Sequence, residues 1–132
     1  MSINIALIYF FAAVGVLDTV YLLYHKMRGT DVYCLFFPAE WCRAVQYSPY
    51  SKTLGVPNSL AGFFMYSAII TLLTFSQYGI SSFLPVQAVI AVGFAFSLYF
   101  TYIQARVIRA FCTWCVLSAF NFFVMFVAAF FL

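Results

Sequence analysis

Four cysteines, in two close pairs, are the residues best suited to chemistry. Cys112 and Cys115 form a Cys-x-x-Cys, Phe111-Cys112-Thr113-Trp114-Cys115, at the head of an apolar run that continues to the C-terminus. On a helix, positions i and i+3 share a face. In a helix's first turn, unpaired backbone N–H groups and the helix dipole favour a thiolate. Cys-x-x-Cys motifs commonly hold one thiol well below the free pKa of about 8.5, which suits thiol–disulfide exchange. The plainer reading is two buried thiols packed as small hydrophobes, or an inert disulfide. Cys34 and Cys42, separated by seven residues, lie in a polar stretch where water and a protein partner can reach them. Alone they would staple a loop. Together, the two pairs suggest a relay. A shuttle pair exchanges with a partner and passes electrons to an embedded pair that meets a lipid-soluble acceptor, each transfer being a thiolate attack through a mixed disulfide. A four-cysteine zinc site is the rival. Structural zinc knuckles typically leave about two to four residues between ligands, and the Cys34–Cys42 gap departs from that.

The elements that must position these thiols are membrane helices. Of 132 residues, 67% are hydrophobic and 7% charged, with a mean hydropathy of +1.05. A soluble domain carries about 25% charged residues, so there are too few charges here to coat a water-facing surface. The chain therefore reads as an all-α integral membrane protein, a single domain over 1–132, in which a four-transmembrane-helix bundle carries a long amphipathic loop between its first two helices. The spans are expected at about 3–24, 57–75, 86–104 and 110–132. Nothing basic precedes Ile3, so the first span reads as a retained helix rather than a cleaved signal. The net charge of +3 comes without a basic run or aromatic–basic alternation, which sets nucleic acid aside as a partner.

The loop, about 26–56, holds the turn residues Gly29, Pro38, Pro49 and Gly55, and two of the three acids, Asp31 and Glu40. Phe36, Phe37, Trp41 and Tyr50 make it amphipathic, and a short interfacial helix is expected near Glu40–Tyr47. All six basic residues, Lys26, Arg28, Arg43, Lys52, Arg106 and Arg109, fall on the loop side of the bundle. The positive-inside rule then puts the cysteine side in the cytoplasm, the inverse of the usual habit of disulfide chemistry. Asp18 lies inside the first span, where a buried acid is a functional hypothesis by default; it could relay a proton, contact an acceptor, or pair with Arg106 or Arg109. His25 reads as an interfacial side chain, and Gly62 and Ser67 as small residues that let helices approach.

The pattern Cys34…Cys42-Arg43-Ala44-Val45…Ser48, then Pro57-Asn58-Ser59-Leu60-Ala61-Gly62, then Cys112-Thr113-Trp114-Cys115 resembles the vitamin K epoxide reductase family over most of the chain. The resemblance implies a membrane thiol–disulfide oxidoreductase built around a pocket for a quinone, of the menaquinone or ubiquinone type. It implies that Cys115 reacts with the quinone, that Cys112 is its partner and accepts electrons from Cys42, and that Cys34 exchanges with a thioredoxin-like protein. It also places Ser48 and Asn58 near a quinone carbonyl, although by residue type alone they are a turn residue and a helix-start residue. No thioredoxin-like domain is expected beside the bundle, so the partner is expected to be a separate protein. The vertebrate members carry a tyrosine four residues after the last active cysteine; Ala119 stands there, which weakens the case for epoxide reduction. That reduction, and a non-catalytic protein with structural or zinc-binding cysteines, are the alternative readings.

Overall fold

The computed structural model describes residues 3–30, 32–34, 36–53 and 56–131. Asp31 and Gly55, named above among the loop's acids and turn residues, lie outside the described residues. Among the described residues, four helices are long and apolar enough to cross a membrane. In chain order they are α1 (Ile3–Arg28), α3 (Asn58–Gln77), α4 (Leu84–Tyr102) and α5 (Thr113–Phe130), and a short helix, α2 (Ala39–Gln46), lies in the loop between the first two. A two-residue antiparallel pairing, Lys52–Thr53 with Val56–Pro57, follows α2 and leads into α3.

The first span buries Ile5, Ile8, Ala12, Gly15, Asp18, Thr19 and Leu22. That spacing of three and four is one face of a 3.6-residue helix. On the other faces Phe10 and Leu17 are exposed, as are Phe64, Val92, Leu98 and Phe123 on the other spans. Such apolar exposure suits lipid rather than water. The α1 helix runs one turn further than its apolar stretch. His25, Lys26 and Arg28 occupy its last turn, where cations complement the helix dipole, and Lys26 Nζ reaches the Gln46 carbonyl at the end of α2 at 2.8 Å.

The bundle centre is two stacked rings between two glycines. Tyr66 of α3 and Phe122 of α5 stack with centroids 4.8 Å apart and planes 24° from parallel. A Cβ on Gly15 of α1 would fall inside the Tyr66 ring, and one on Gly93 of α4 inside the Phe122 ring. The missing side chains let four helices share one tightly packed layer. Around it pack Ile8, Ile69, Leu73, Val86, Ile90 and Met125, all fully buried.

A second core sits under the loop. It joins Leu22 of α1, Cys42 and Val45 of α2, Phe100 and Ile103 at the end of α4, and Ala110 and Cys112 before α5. Two latches hold the loop on it. Trp114 Nε1 donates to the Tyr33 carbonyl at 2.7 Å, while the Tyr33 N–H donates to the Tyr21 hydroxyl at 3.0 Å. Phe37 stacks on Trp41, and both rings lie against Phe111. The third span was expected to stop at 104. Instead it widens into a π-helical stretch, Ile103–Ile108, and ends at Arg109 in the left-handed conformation, φ 59°. The Ala110 N–H closes this end on the Gln104 carbonyl at 3.1 Å. Residues 110–112 then lie outside any helix, so the last helix starts at Thr113 rather than 110.

Candidate functional site

Cys34 and Cys42 are joined in a disulfide. Cys42 is the fourth residue of α2, 1% exposed, on the same inward face as Val45. Cys34 is partly exposed, and its sulfur lies 3.8 Å from the Thr113 hydroxyl. One member of the pair therefore meets solvent while the other faces the protein interior. With these two thiols joined, four thiolates are not available to a metal.

Cys112 and Cys115 are free thiols. Both were expected in the first turn of the last helix. Cys115 is its third residue, but Cys112 is the N-cap, with an extended backbone at φ −98° and ψ 128°. Its N–H is held by the Gln104 side-chain oxygen at 3.0 Å, and its carbonyl accepts the Val116 N–H at 2.9 Å. From the cap position the Cys112 sulfur faces the orphan N–H groups of the helix start. The Cys115 thiol is the largest cause that pulls the Cys112 thiol down to about 6, by hydrogen bonding to its thiolate. Burial opposes this, while the Cys115 and Trp114 N–H groups and the Gln46 amide add to it. Gln46 Nε2 lies 3.3 Å from the Cys112 sulfur and 3.7 Å from that of Cys115, and so spans the pair.

Below the pair, all four spans line an apolar cavity of about 330 Å³. Its wall includes Leu22, Met65, Phe96, Phe100 and Phe122, and its polar residues include Asn58, Ser97, Gln104, Ser118 and the Cys115 thiol. Small-molecule pockets are typically about 300–1,000 Å³, mostly apolar, with a few placed polar groups. A flat apolar ring with two carbonyl acceptors fits that donor set: amide and hydroxyl groups at the wall, and a thiol at one end.

The structure brings five of the six sequence-predicted residues together: both cysteine pairs meet at the second core, and Asn58 lines the cavity below. Asn58 Nδ2 also donates to the Tyr50 carbonyl at 2.8 Å, tying the α3 start to the loop. Ser48 is not in the cavity wall; its hydroxyl donates to the Val45 carbonyl at 2.9 Å and closes the end of α2. Sequence reasoning missed Gln46 and Gln104. Gln46 is four residues after Cys42, so the two share a helix face, and that spacing was a usable signal. Gln104 is a lone amide at the end of an apolar run and is 1% exposed. A buried amide there calls for a partner, which proves to be the Cys112 backbone.

A membrane bundle holding a free dithiol beside a disulfide is a setting for thiol redox chemistry. Over residues 6–130 the sequence matches the Vitamin K epoxide reductase family, and the chain belongs to that family. It is also 33% identical, over 120 residues, to a protein from Arabidopsis thaliana named thiol-disulfide oxidoreductase LTO1. That alignment covers 83% of this chain and 31% of the relative, so the chain spans about a third of the relative's length.

Proposed function

We propose that the protein is a membrane thiol–disulfide oxidoreductase that oxidises a separate thioredoxin-like protein and passes the electrons to a quinone, supporting disulfide formation. The observation that carries this reading is that Cys115 lines the apolar cavity while its partner, Cys112, shares a buried core with Cys42. A path from solvent to lipid needs that order. The partly exposed Cys34, flanked by the exposed Tyr33 and Phe36, is the thiol a protein partner can reach.

In the first step, dithiol on the partner reduces the Cys34–Cys42 disulfide by attack at Cys34, leaving the partner oxidised. The Cys42 thiolate then attacks the sulfur of Cys112 in a Cys112–Cys115 disulfide, and Cys115 leaves. Attack of Cys34 on Cys42 restores their disulfide and releases Cys112 as a thiolate. A low pKa makes Cys112 a good leaving group and favours the reduced form of its pair, which makes that pair the better oxidant. The pairing described above, Cys34 with Cys42 and two free thiols below, corresponds to the end of this exchange. When bound, a quinone would supply a two-electron, two-proton acceptor. Cys115, Asn58, Gln104 and Ser118 are the residues that would hold its ring and carbonyls.

The test is steady-state quinone reduction by purified protein with a reduced thioredoxin-like donor. Turnover that falls to background in Cys112→Ala and Cys115→Ala supports the reading, and full turnover in either variant removes it. Turnover of a vitamin K epoxide would instead favour the alternative substrate. We further place the cysteine face in the cytoplasm, on the strength of the six basic residues on that side. Ser82→Cys, at an exposed site on the opposite face, would be labelled from outside intact cells if this is right; labelling only after lysis would reverse the orientation.

A further inference from the structure

Asp18 is 4% exposed in the middle of the bundle, and neither of its carboxylate oxygens has a hydrogen-bond partner among the described residues. Its position is fixed by its neighbours. Gly15, one turn away on α1, lies under the Tyr66 ring, and Thr19 lies against Gly62 of α3. The Tyr66 hydroxyl in turn meets the Ser118 hydroxyl of α5 at 2.6 Å. Ser118 is three residues from Cys115 and lines the cavity. Asp18 is thus one turn from the residue that seats the Tyr66 ring, whose hydroxyl reaches the cavity wall at Ser118. The titratable groups that feel its charge are Cys112 and Cys115 at the start of α5 and Tyr66 on α3. All three are neutral or anionic, so none of them compensates a carboxylate. Asn121 of α5 is fully buried near enough to act on the Tyr66 hydroxyl, and its amide atoms make no other hydrogen bond among the described residues.

A buried acid without a cation or donor is costly when charged. Two negative charges a short distance apart in a low-dielectric interior are costlier still, so charge on one site recruits a proton to the other. With Cys112 poised as a thiolate, the reduced pair carries one proton where a two-electron, two-proton acceptor needs two. We propose that Asp18 holds the second proton, taking it up when Cys112 and Cys115 are reduced and releasing it when they form their disulfide. The balance closes. Thiolate, thiol and carboxylic acid become disulfide and carboxylate, with the S–S bond formed, two electrons lost and two protons lost, one from the Cys115 thiol and one from Asp18. In the return step the Cys34 and Cys42 thiols form their own disulfide, and their two electrons and two protons restore the starting state. The Tyr66 and Ser118 hydroxyls, bonded to each other with Ser118 on the cavity wall, would carry that proton on to the cavity. The delivery of both protons to the cavity rests on the quinone reading above; the redox-linked protonation of Asp18 does not.

Difference infrared spectroscopy separates the two. Full-length protein in lipid nanodiscs, free of quinone, is cycled with dithiothreitol and a disulfide oxidant. The expected spectrum has a protonated-carboxyl stretch that appears in the reduced form, vanishes in Asp18→Asn and moves in Asp18→Glu. A wild-type spectrum with no such band, or a band unchanged in Asp18→Asn, overturns the proposal. Asp18→Glu keeps the test open if the asparagine variant fails to fold. In the quinone assay, Asp18→Asn is expected to slow reduction by about a hundredfold, the lower range for loss of a positioned acid. Absence of quinone reduction by the wild-type protein would remove the quinone reading and leave the infrared result standing.

Discussion

The side-chain amide of Gln46 donates to the sulfur of Cys112 at 3.3 Å, from the same helix that carries Cys42. One short loop helix therefore brings both the incoming thiol and a donor that steadies the Cys112 thiolate, which Cys34 later releases. Gln46→Leu removes that donor, so the Cys112 pKa rises. A hydrogen bond to a charged group is worth about 1.5–3 kcal/mol, and one pKa unit is about 1.4 kcal/mol, so a rise of about one unit is expected. Run in reverse, from reduced Cys112 and Cys115 to the Cys34–Cys42 disulfide, exchange depends on the Cys112 thiolate as nucleophile, which is lost as pH falls through about 6 in the wild type. The variant should lose it at a pH about one unit higher, read from stopped-flow exchange rates across pH. An unshifted profile would show that the amide does not act on the thiolate.

The shared core predicts which mixed disulfide forms. In the double variant Cys34→Ala, Cys115→Ala, the two remaining thiols are Cys42 and Cys112. They should be trapped in one bond by mild oxidation, visible by peptide mass spectrometry. The double variant Cys34→Ala, Cys112→Ala should give little Cys42–Cys115 product, because Cys115 faces the cavity.

The stacked pair Tyr66–Phe122 predicts an order of stability. A methyl group at Gly15 or Gly93 would push into a rigid ring held between helices, so Gly15→Ala and Gly93→Ala should each cost about 1–3 kcal/mol. Tyr66→Phe keeps the ring and removes only the hydroxyl contact with Ser118, which is worth about 1 kcal/mol. Thermal melts in detergent should rank the glycine variants at or below Tyr66→Phe, and the reverse order would mean the layer has room to relax.

The cavity predicts a separation of steps. Ser97→Phe places a ring inside the wall and should raise the quinone KM by about tenfold, equivalent to about 1.4 kcal/mol, while the two cysteine pairs still exchange. Equal loss of both steps would point to a folding defect instead.

Much of this arrangement was legible in the residues. Hydropathy gave four spans, because lipid demands about twenty apolar residues per crossing and the chain has few charges to spoil the pattern. The interfacial helix was expected at Glu40–Tyr47 and lies one residue earlier, at Ala39–Gln46, since Trp41, Cys42 and Val45 already mark its two faces. What spacing could not supply was contact across elements. The Tyr66–Phe122 stack depends on glycines on two other helices, and the span sequences, apolar on nearly every face, carry no mark of which face turns inward. The N-cap position of Cys112 depends on Arg109 adopting a left-handed backbone, which an arginine seldom does and its sequence neighbours do not announce. Ser48 carried the family's pattern but closes a helix end, because a hydroxyl three residues past Val45 finds that carbonyl first.

The most direct test of the account is a single-turnover reaction of the fully reduced protein, without partner, mixed anaerobically with a short-chain quinone. The account predicts loss of quinone absorbance matched by formation of one disulfide, first Cys112–Cys115 and then, by internal exchange, Cys34–Cys42, and neither change in Cys115→Ala. Quinone reduction at the wild-type rate in Cys115→Ala would contradict it.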